Sequence, residues 1–129
     1  MKSEFGFKEL KVWQKSMDFA DAVLEVAENI SSERKHFRLI EQIESSSTSV
    51  PQNIAEGKGR NSQKEFIQFL YIARGSLYET VTLLNIFYRR KWITEETLLS
   101  LENQAYEIAS MLKGLINSLY KDISNKEKK

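Results

Sequence analysis

Cysteine is absent from this 129-residue chain, which excludes disulfides, thiolate nucleophiles and cysteine-ligated metal sites. Histidine occurs once, as His36, so nucleophile systems that need a paired histidine are poorly supplied. The single proline, Pro51, and only five glycines leave few places where a helix must stop. No run reaches the roughly 18 apolar residues of a membrane span. Residues 1–16 lack the apolar core and small-residue cleavage site of a signal peptide. Nor is there an excess of one charge: 19 basic and 18 acidic residues leave a formal net charge of +1. That balance disfavours a chain that is strongly basic throughout. A cytoplasmic location is expected, with no cofactor, no membrane and no small-molecule substrate.

What is present is globular. With 41% hydrophobic and 29% charged residues, the composition fits one domain over 1–129. A chain of this length buries roughly two thirds of its unfolded surface, enough to fold without metal or disulfides.

Helical periodicity runs through the chain, and no strand pattern competes. Leu10, Trp13, Met17, Ala20, Leu24 and Ala27 recur at spacings of three and four, which predicts a helix over about 8–30. Val12, Phe19, Val23, Val26 and Ile30 widen its apolar stripe. Ser31 and Ser32 end it and are candidate caps for the next helix. That second helix is predicted over about 33–57 from Phe37, Ile40, Ile43, Ser47, Val50 and Ile54. It includes the run Ser45-Ser46-Ser47-Thr48-Ser49, where small residues permit close helix approach and hydroxyls bond back to a carbonyl one turn earlier. Pro51 predicts a kink or break near Thr48, and Gly57 a left-handed cap.

Ser62-Gln63-Lys64-Glu65 is a capping box opening a third helix over about 62–92. Phe66, Phe69, Leu70, Ala73, Leu77, Val81, Leu84 and Phe87 share one face of it. Gly75 interrupts that helix at a cost of about 1 kcal/mol against Ala, and close contact with the serine run is the expected compensation. Thr94 caps a fourth helix over about 94–124, carrying Leu98, Leu101, Ala105, Ile108, Leu112, Leu115 and Leu119. Short connections make successive helices antiparallel. The fold class is all-α, an antiparallel up-and-down four-helix bundle.

Inside such a bundle, di-iron chemistry needs a Glu-x-x-His pair on each of two helices. Glu33-Arg34-Lys35-His36 supplies that spacing once, and no second histidine exists. Gly57-Lys58-Gly59-Arg60 lacks the spacing and preceding strand of a phosphate loop. Gln42, Ser45, Asn53, Glu56, Ser76 and Glu79 lie on or near the apolar stripes of helices two and three. Two readings attach to them: a pocket with acid–base carboxylates, or a polar network fixing helix register. The network is the preferred reading, and it predicts that replacing Glu56 or Glu79 with Ala lowers the melting temperature.

Charge is unevenly spread. Residues 1–31 carry four basic and six acidic side chains. Residues 63–93 carry five basic (Lys64, Arg74, Arg89, Arg90, Lys91) against two acidic (Glu65, Glu79). Antiparallel packing brings Arg34, Lys35 and Arg38 to the same end as Arg89, Arg90 and Lys91, with Lys58, Arg60 and Lys64 at the other. One reading is a solvated surface; the other is phosphate contact, with Tyr88 or Trp92 available to stack on unpaired bases.

Several segments carry a family resemblance. Phe7 with Leu10-Lys11-Val12-Trp13-Gln14-Lys15-Ser16 resembles the opening of the four-helix bundle proteins encoded in intervening sequences of bacterial 23S ribosomal RNA genes. Ser49-Val50-Pro51-Gln52-Asn53-Ile54-Ala55-Glu56-Gly57 is similar to that family's central motif. Ser62, Lys64-Glu65-Phe66, Phe69-Leu70, Ile72-Ala73-Arg74-Gly75-Ser76 and Glu79 resemble its third-helix signature. The family in turn resembles accessory proteins of diversity-generating retroelements, which assemble as pentameric barrels and associate with a reverse transcriptase and nucleic acid. The resemblance implies a homo-oligomer, a pentamer, with no catalytic residues. The functional expectation is a non-enzymatic homo-oligomeric bundle binding RNA or a nucleic-acid-processing protein through a basic patch. The alternative is a structural scaffold for other proteins that binds no nucleic acid.

Overall fold

The computed structural model describes residues 4–31 and 36–128. A short 3-10 turn, Gly6–Glu9, leads into four α-helices: α1 (Lys11–Ser31), α2 (Phe37–Lys58), α3 (Gln63–Arg89) and α4 (Glu95–Glu127). Helix α1 packs beside α2 and α4, and α3 packs beside α2 and α4, while the diagonal pairs α1–α3 and α2–α4 stand farther apart. The direction of packing follows from paired residues. Ser46 meets Thr80 and Ser49 meets Ser76, while Gln63 meets Asp122 and Asn85 meets Glu102. Rising numbers on one helix meet falling numbers on the next, so the bundle is antiparallel and up-and-down.

The core is a single apolar column. Phe19, Val23, Ile43, Ile54, Leu70, Leu77, Leu84, Phe87, Ile108 and Leu112 are wholly or almost wholly buried. Helix α4 keeps Leu98, Leu101, Ala105, Ile108, Leu112, Ile116 and Leu119 inward, with Ile116 replacing the expected Leu115, which is only half-buried. On α1 the core face draws on both apolar sets. Val12, Phe19, Ala20, Val23 and Ala27 form the core face, while Met17 is exposed and Trp13 is half-buried at its margin.

Helix α2 runs unbroken through the serine run and Pro51, which is buried. Of the kink or break expected near Thr48, no break occurs, and hydroxyl and amide side chains of the run bond within the helix. Thr48 Oγ1 donates to the Glu44 carbonyl at 2.7 Å, and Asn53 Nδ2 donates to the Ser49 carbonyl at 2.8 Å. Small side chains also let α3 come close, and the closest point is Gly57. A Cβ there would lie 2.7 Å from Phe69 Cβ and 2.9 Å from Phe66 Cδ1. Gly57 is therefore a contact residue within α2, not the expected left-handed cap; no described glycine has positive φ. Gly75 has no such role, because an added Cβ would meet nothing within 4 Å. No described neighbour explains that glycine.

The caps on α3 and α4 follow the sequence. Ser62 Oγ accepts from Glu65 N–H at 3.2 Å, and Thr94 Oγ1 from Thr97 N–H at 3.1 Å. The Glu65 carboxylate accepts from the Ser62 hydroxyl rather than from its backbone. At α2 the N-cap is His36, in a left-handed conformation and without a side-chain cap. Ser32, one expected cap, lies outside the described residues.

Candidate functional site

The end of α1, the start of α2 and the α3–α4 turn share one end of the bundle, which gathers the only two described non-glycine residues with positive φ. These are His36 at φ 63° and Lys91 at φ 65°. Lys91 ends α3 in a Schellman turn: Trp92 N–H donates to the Phe87 carbonyl and Lys91 N–H to the Tyr88 carbonyl, both at 2.9 Å. The turn folds the Trp92 ring onto Phe87, with centroids 5.3 Å apart. On the α2 side, the His36 ring stacks on Trp92 at 3.8 Å and 21°. Glycine ordinarily occupies such a left-handed position, and a side chain there costs about 1–2 kcal/mol. The aromatic contacts act against that cost. Beside the stack is a cleft of about 420 Å³ lined by His36, Lys91, Trp92, Thr94, Thr97 and Ile30, among others.

The predicted basic residues separate by end. Arg38, Arg89, Arg90 and Lys91 are all exposed at the His36–Trp92 end, and none of them forms a salt bridge to a described residue. Arg34 and Lys35, assigned to the same group, lie outside the described residues. The far end is more neutralised. Arg60 pairs with Glu56 at 3.4 Å and lies over the Phe69 ring at 4.6 Å, and Lys64 pairs with Glu127 at 3.5 Å. Lys58 is exposed there. At the same end Gln63 and Lys126 flank Asp122 and hold its carboxyl below the usual range, chiefly through the Gln63 hydrogen bond. The two candidate stacking rings also differ. Trp92 is half-buried with a face against His36, whereas Tyr88 is exposed, its hydroxyl 3.3 Å from Glu95.

The inward polar group needs correction. Asn53 and Ser76 are half-buried and join Ser49, whose hydroxyl is 2.9 Å from that of Ser76 and 2.8 Å from Asn53 Nδ2. Gln42, Ser45, Glu56 and Glu79 are instead exposed. They sit at the margins of the stripes, where a rotation of the helix by a fraction of a turn moves a side chain into solvent. The buried members went unrecognised because they are small. Ser46 and Thr80 are 2.7 Å apart across the α2–α3 seam, and Thr80 donates to the Ser76 carbonyl at 2.9 Å. Ser16, wholly buried, donates to the Trp13 carbonyl at 2.7 Å. The signal was available: Ser46 and Thr80 stand three or four residues from core positions on both sides. Among the described residues no cluster of His, Asp or Glu is placed to hold a metal ion, and no helix is long and apolar enough to cross a membrane.

No curated protein matches the chain. Among solved structures, it is similar to a crystal structure from Bacteroides thetaiotaomicron described as a protein of unknown function from the S23 ribosomal protein family. Identity is 33% over 81% of this chain and 97% of that one, with a TM-score of 0.78. The model of the 23S rRNA-intervening sequence protein family matches residues 8–114, which covers α1, α2, α3, the aromatic end and the first part of α4. The chain belongs to the 23S rRNA-intervening sequence protein family.

Proposed function

We propose that the protein is a non-enzymatic, self-associating bundle that engages RNA through its basic end. One observation carries the reading: Arg38, Arg89, Arg90 and Lys91 are exposed together beside Tyr88, while two of the three predicted cations at the far end are paired. Cations that form no salt bridge to a described residue are available to displace the counter-ions of a phosphate backbone. Their placement at the C-terminal end of α3 suits the helix dipole as well. That term alone does not require Arg38, which lies in the first turn of α2. Tyr88 supplies an exposed ring for a base, and its pairing with Glu95 is loose enough to give way. A cytoplasmic setting is part of the same reading.

Fluorescence anisotropy with a structured RNA tests it. Binding is expected at low salt, weakening at physiological salt. No binding at low salt would overturn the RNA reading and leave a scaffold for other proteins.

A further inference from the structure

The α3–α4 turn borders two clefts at the basic end, and an aromatic ring lines each. One, of about 420 Å³, holds His36; the other, of about 380 Å³, holds Tyr88. Lys91, Trp92, Ile93 and Thr94 line both, so the turn is the ridge between them. Arg89 also lines the Tyr88 cleft. Among the described residues, the acids of the adjoining helix turns are Glu28 at the end of α1 and Glu95 and Glu96 at the start of α4. None of the three lines either cleft, although Glu95 accepts from the Tyr88 hydroxyl at 3.3 Å. A phosphate following the ridge therefore meets cations first.

The groups set at this ridge are under-used within the fold. His36 is exposed at φ 63° and gives α2 no side-chain cap. A polar ring thus occupies a strained position without making the hydrogen bond usual at a helix start. It lies instead on Trp92, with centroids 3.8 Å apart and planes at 21°. The Trp92 indole N–H has no acceptor among the described residues, although a half-buried indole ordinarily finds one. Lys91 is the other non-glycine residue at positive φ. Both backbone outliers therefore place a side chain at the clefts, one a ring and one a cation. A nucleotide matches this set: a flat base for the rings, acceptor atoms for the indole N–H and a phosphate for Lys91.

We infer that unpaired RNA crosses the α3–α4 turn, with one base stacked at His36, the next at Tyr88 and Lys91 at the phosphate between them. The inference rests on the RNA reading above and deepens it by naming the strand state that the basic end selects. A duplex can lay phosphates on Arg38, Arg89 and Arg90, but its bases are stacked on one another and offer no free face to a side chain. Stacking tolerates every base, since each has a π-face. The selection is therefore for single strands and not for sequence.

Anisotropy at low salt with a single-stranded oligoadenylate and an RNA duplex of equal charge tests it. Wild type should prefer the single strand by at least about tenfold. His36→Gly removes one ring where glycine best tolerates the backbone, and Tyr88→Ala removes the other. Each should weaken single-strand binding about five- to hundredfold and leave duplex binding nearly unchanged. His36→Phe, which keeps a ring without its nitrogens, should restore the preference; circular dichroism checks that the helices remain in every variant. Adenosine monophosphate fills one cleft at most and should compete far more weakly than the oligomer. Failure of both RNAs to bind would overturn the RNA reading itself, and this inference with it. Four results would overturn stacking across the turn while leaving the basic end as a phosphate site. They are a duplex bound as tightly as the single strand, variants that weaken both RNAs equally, a His36→Phe variant that behaves like His36→Gly, and a mononucleotide that competes as well as the oligomer.

Discussion

Replacing Gly57 with alanine opposes helix propensity to packing, and the geometry decides which prevails. In a helix interior Ala is favoured over Gly by about 1 kcal/mol, so propensity alone predicts a more stable protein. The added methyl would lie 2.7 Å from Phe69 Cβ and 2.9 Å from Phe66 Cδ1, whereas carbon atoms in contact prefer about 3.5–4.0 Å. Phe69 Cβ is fixed to the backbone of α3, so the deficit of about an ångström must be met by moving one helix from the other. Overpacking of this kind costs about 1–3 kcal/mol. The net expectation for Gly57→Ala is a loss of up to about 2 kcal/mol, a fall in Tm of up to about 10 °C for a chain of this size. Gly75→Ala is the control: the same methyl meets nothing within 4 Å, and Tm should rise by a few degrees for a gain of about 0.5–1 kcal/mol. Thermal unfolding followed by circular dichroism at one protein concentration measures both. A Tm raised by Gly57→Ala as much as by Gly75→Ala would show that Gly57 does not set the α2–α3 approach.

Lys91→Gly removes a side chain from a left-handed position and should stabilise the chain by about 1 kcal/mol in urea unfolding; destabilisation would mean that the Lys91 side chain contributes more than its backbone strain. Thr80→Val deletes the hydroxyl that meets Ser46 at 2.7 Å and should cost about 1–3 kcal/mol by leaving buried partners unsatisfied. Ser62→Ala should cost about 1 kcal/mol through loss of the α3 cap, and a change under a few tenths would show that the cap is idle. Glu79→Ala, at an exposed position, should change stability by less than about 0.5 kcal/mol, reversing the expectation drawn from its place beside the apolar stripe. Asp122→Asn should destabilise slightly at neutral pH, where the lowered carboxyl is charged in both folded and unfolded chains. Because the folded pKa is depressed, that difference should fade as pH drops through the ordinary carboxylate value and then the folded one.

The fold was legible because its signals repeat. Heptad spacing from Leu98 to Leu119, the Ser62 and Thr94 caps, and near absence of proline all point to four helices. What went astray depends on rotation about a helix axis, which a stripe of mixed apolar residues specifies only to a fraction of a turn. Trp13 and Met17 look as central as Phe19 and Val23, yet Phe19 and Val23 are buried while Trp13 and Met17 border a groove. The same ambiguity promoted Glu56 and Glu79 to the interior and overlooked Ser46 and Thr80. Gly57 and Gly75 are indistinguishable in sequence, since only the facing helix reveals which one is in contact. At the basic end, connectivity alone brings Arg38 beside Arg89, Arg90 and Lys91. The His36–Trp92 stack was not foreseeable, because it depends on two left-handed residues with no glycine to announce them.

If RNA is held at the basic end, as proposed, and not by the chain's charge as a whole, affinity depends on which end is reversed. Anisotropy across a salt series, with wild type and two triple charge reversals, tests that claim. Reversal at Arg89, Arg90 and Lys91 should lower affinity strongly and reduce the slope of log K against log salt by about 2 for single-stranded contacts. Reversal at Lys58, Arg60 and Lys64 changes net charge equally and should leave most of the affinity in place. Equal losses from the two ends, or a wild type that fails to bind at low salt, would contradict it.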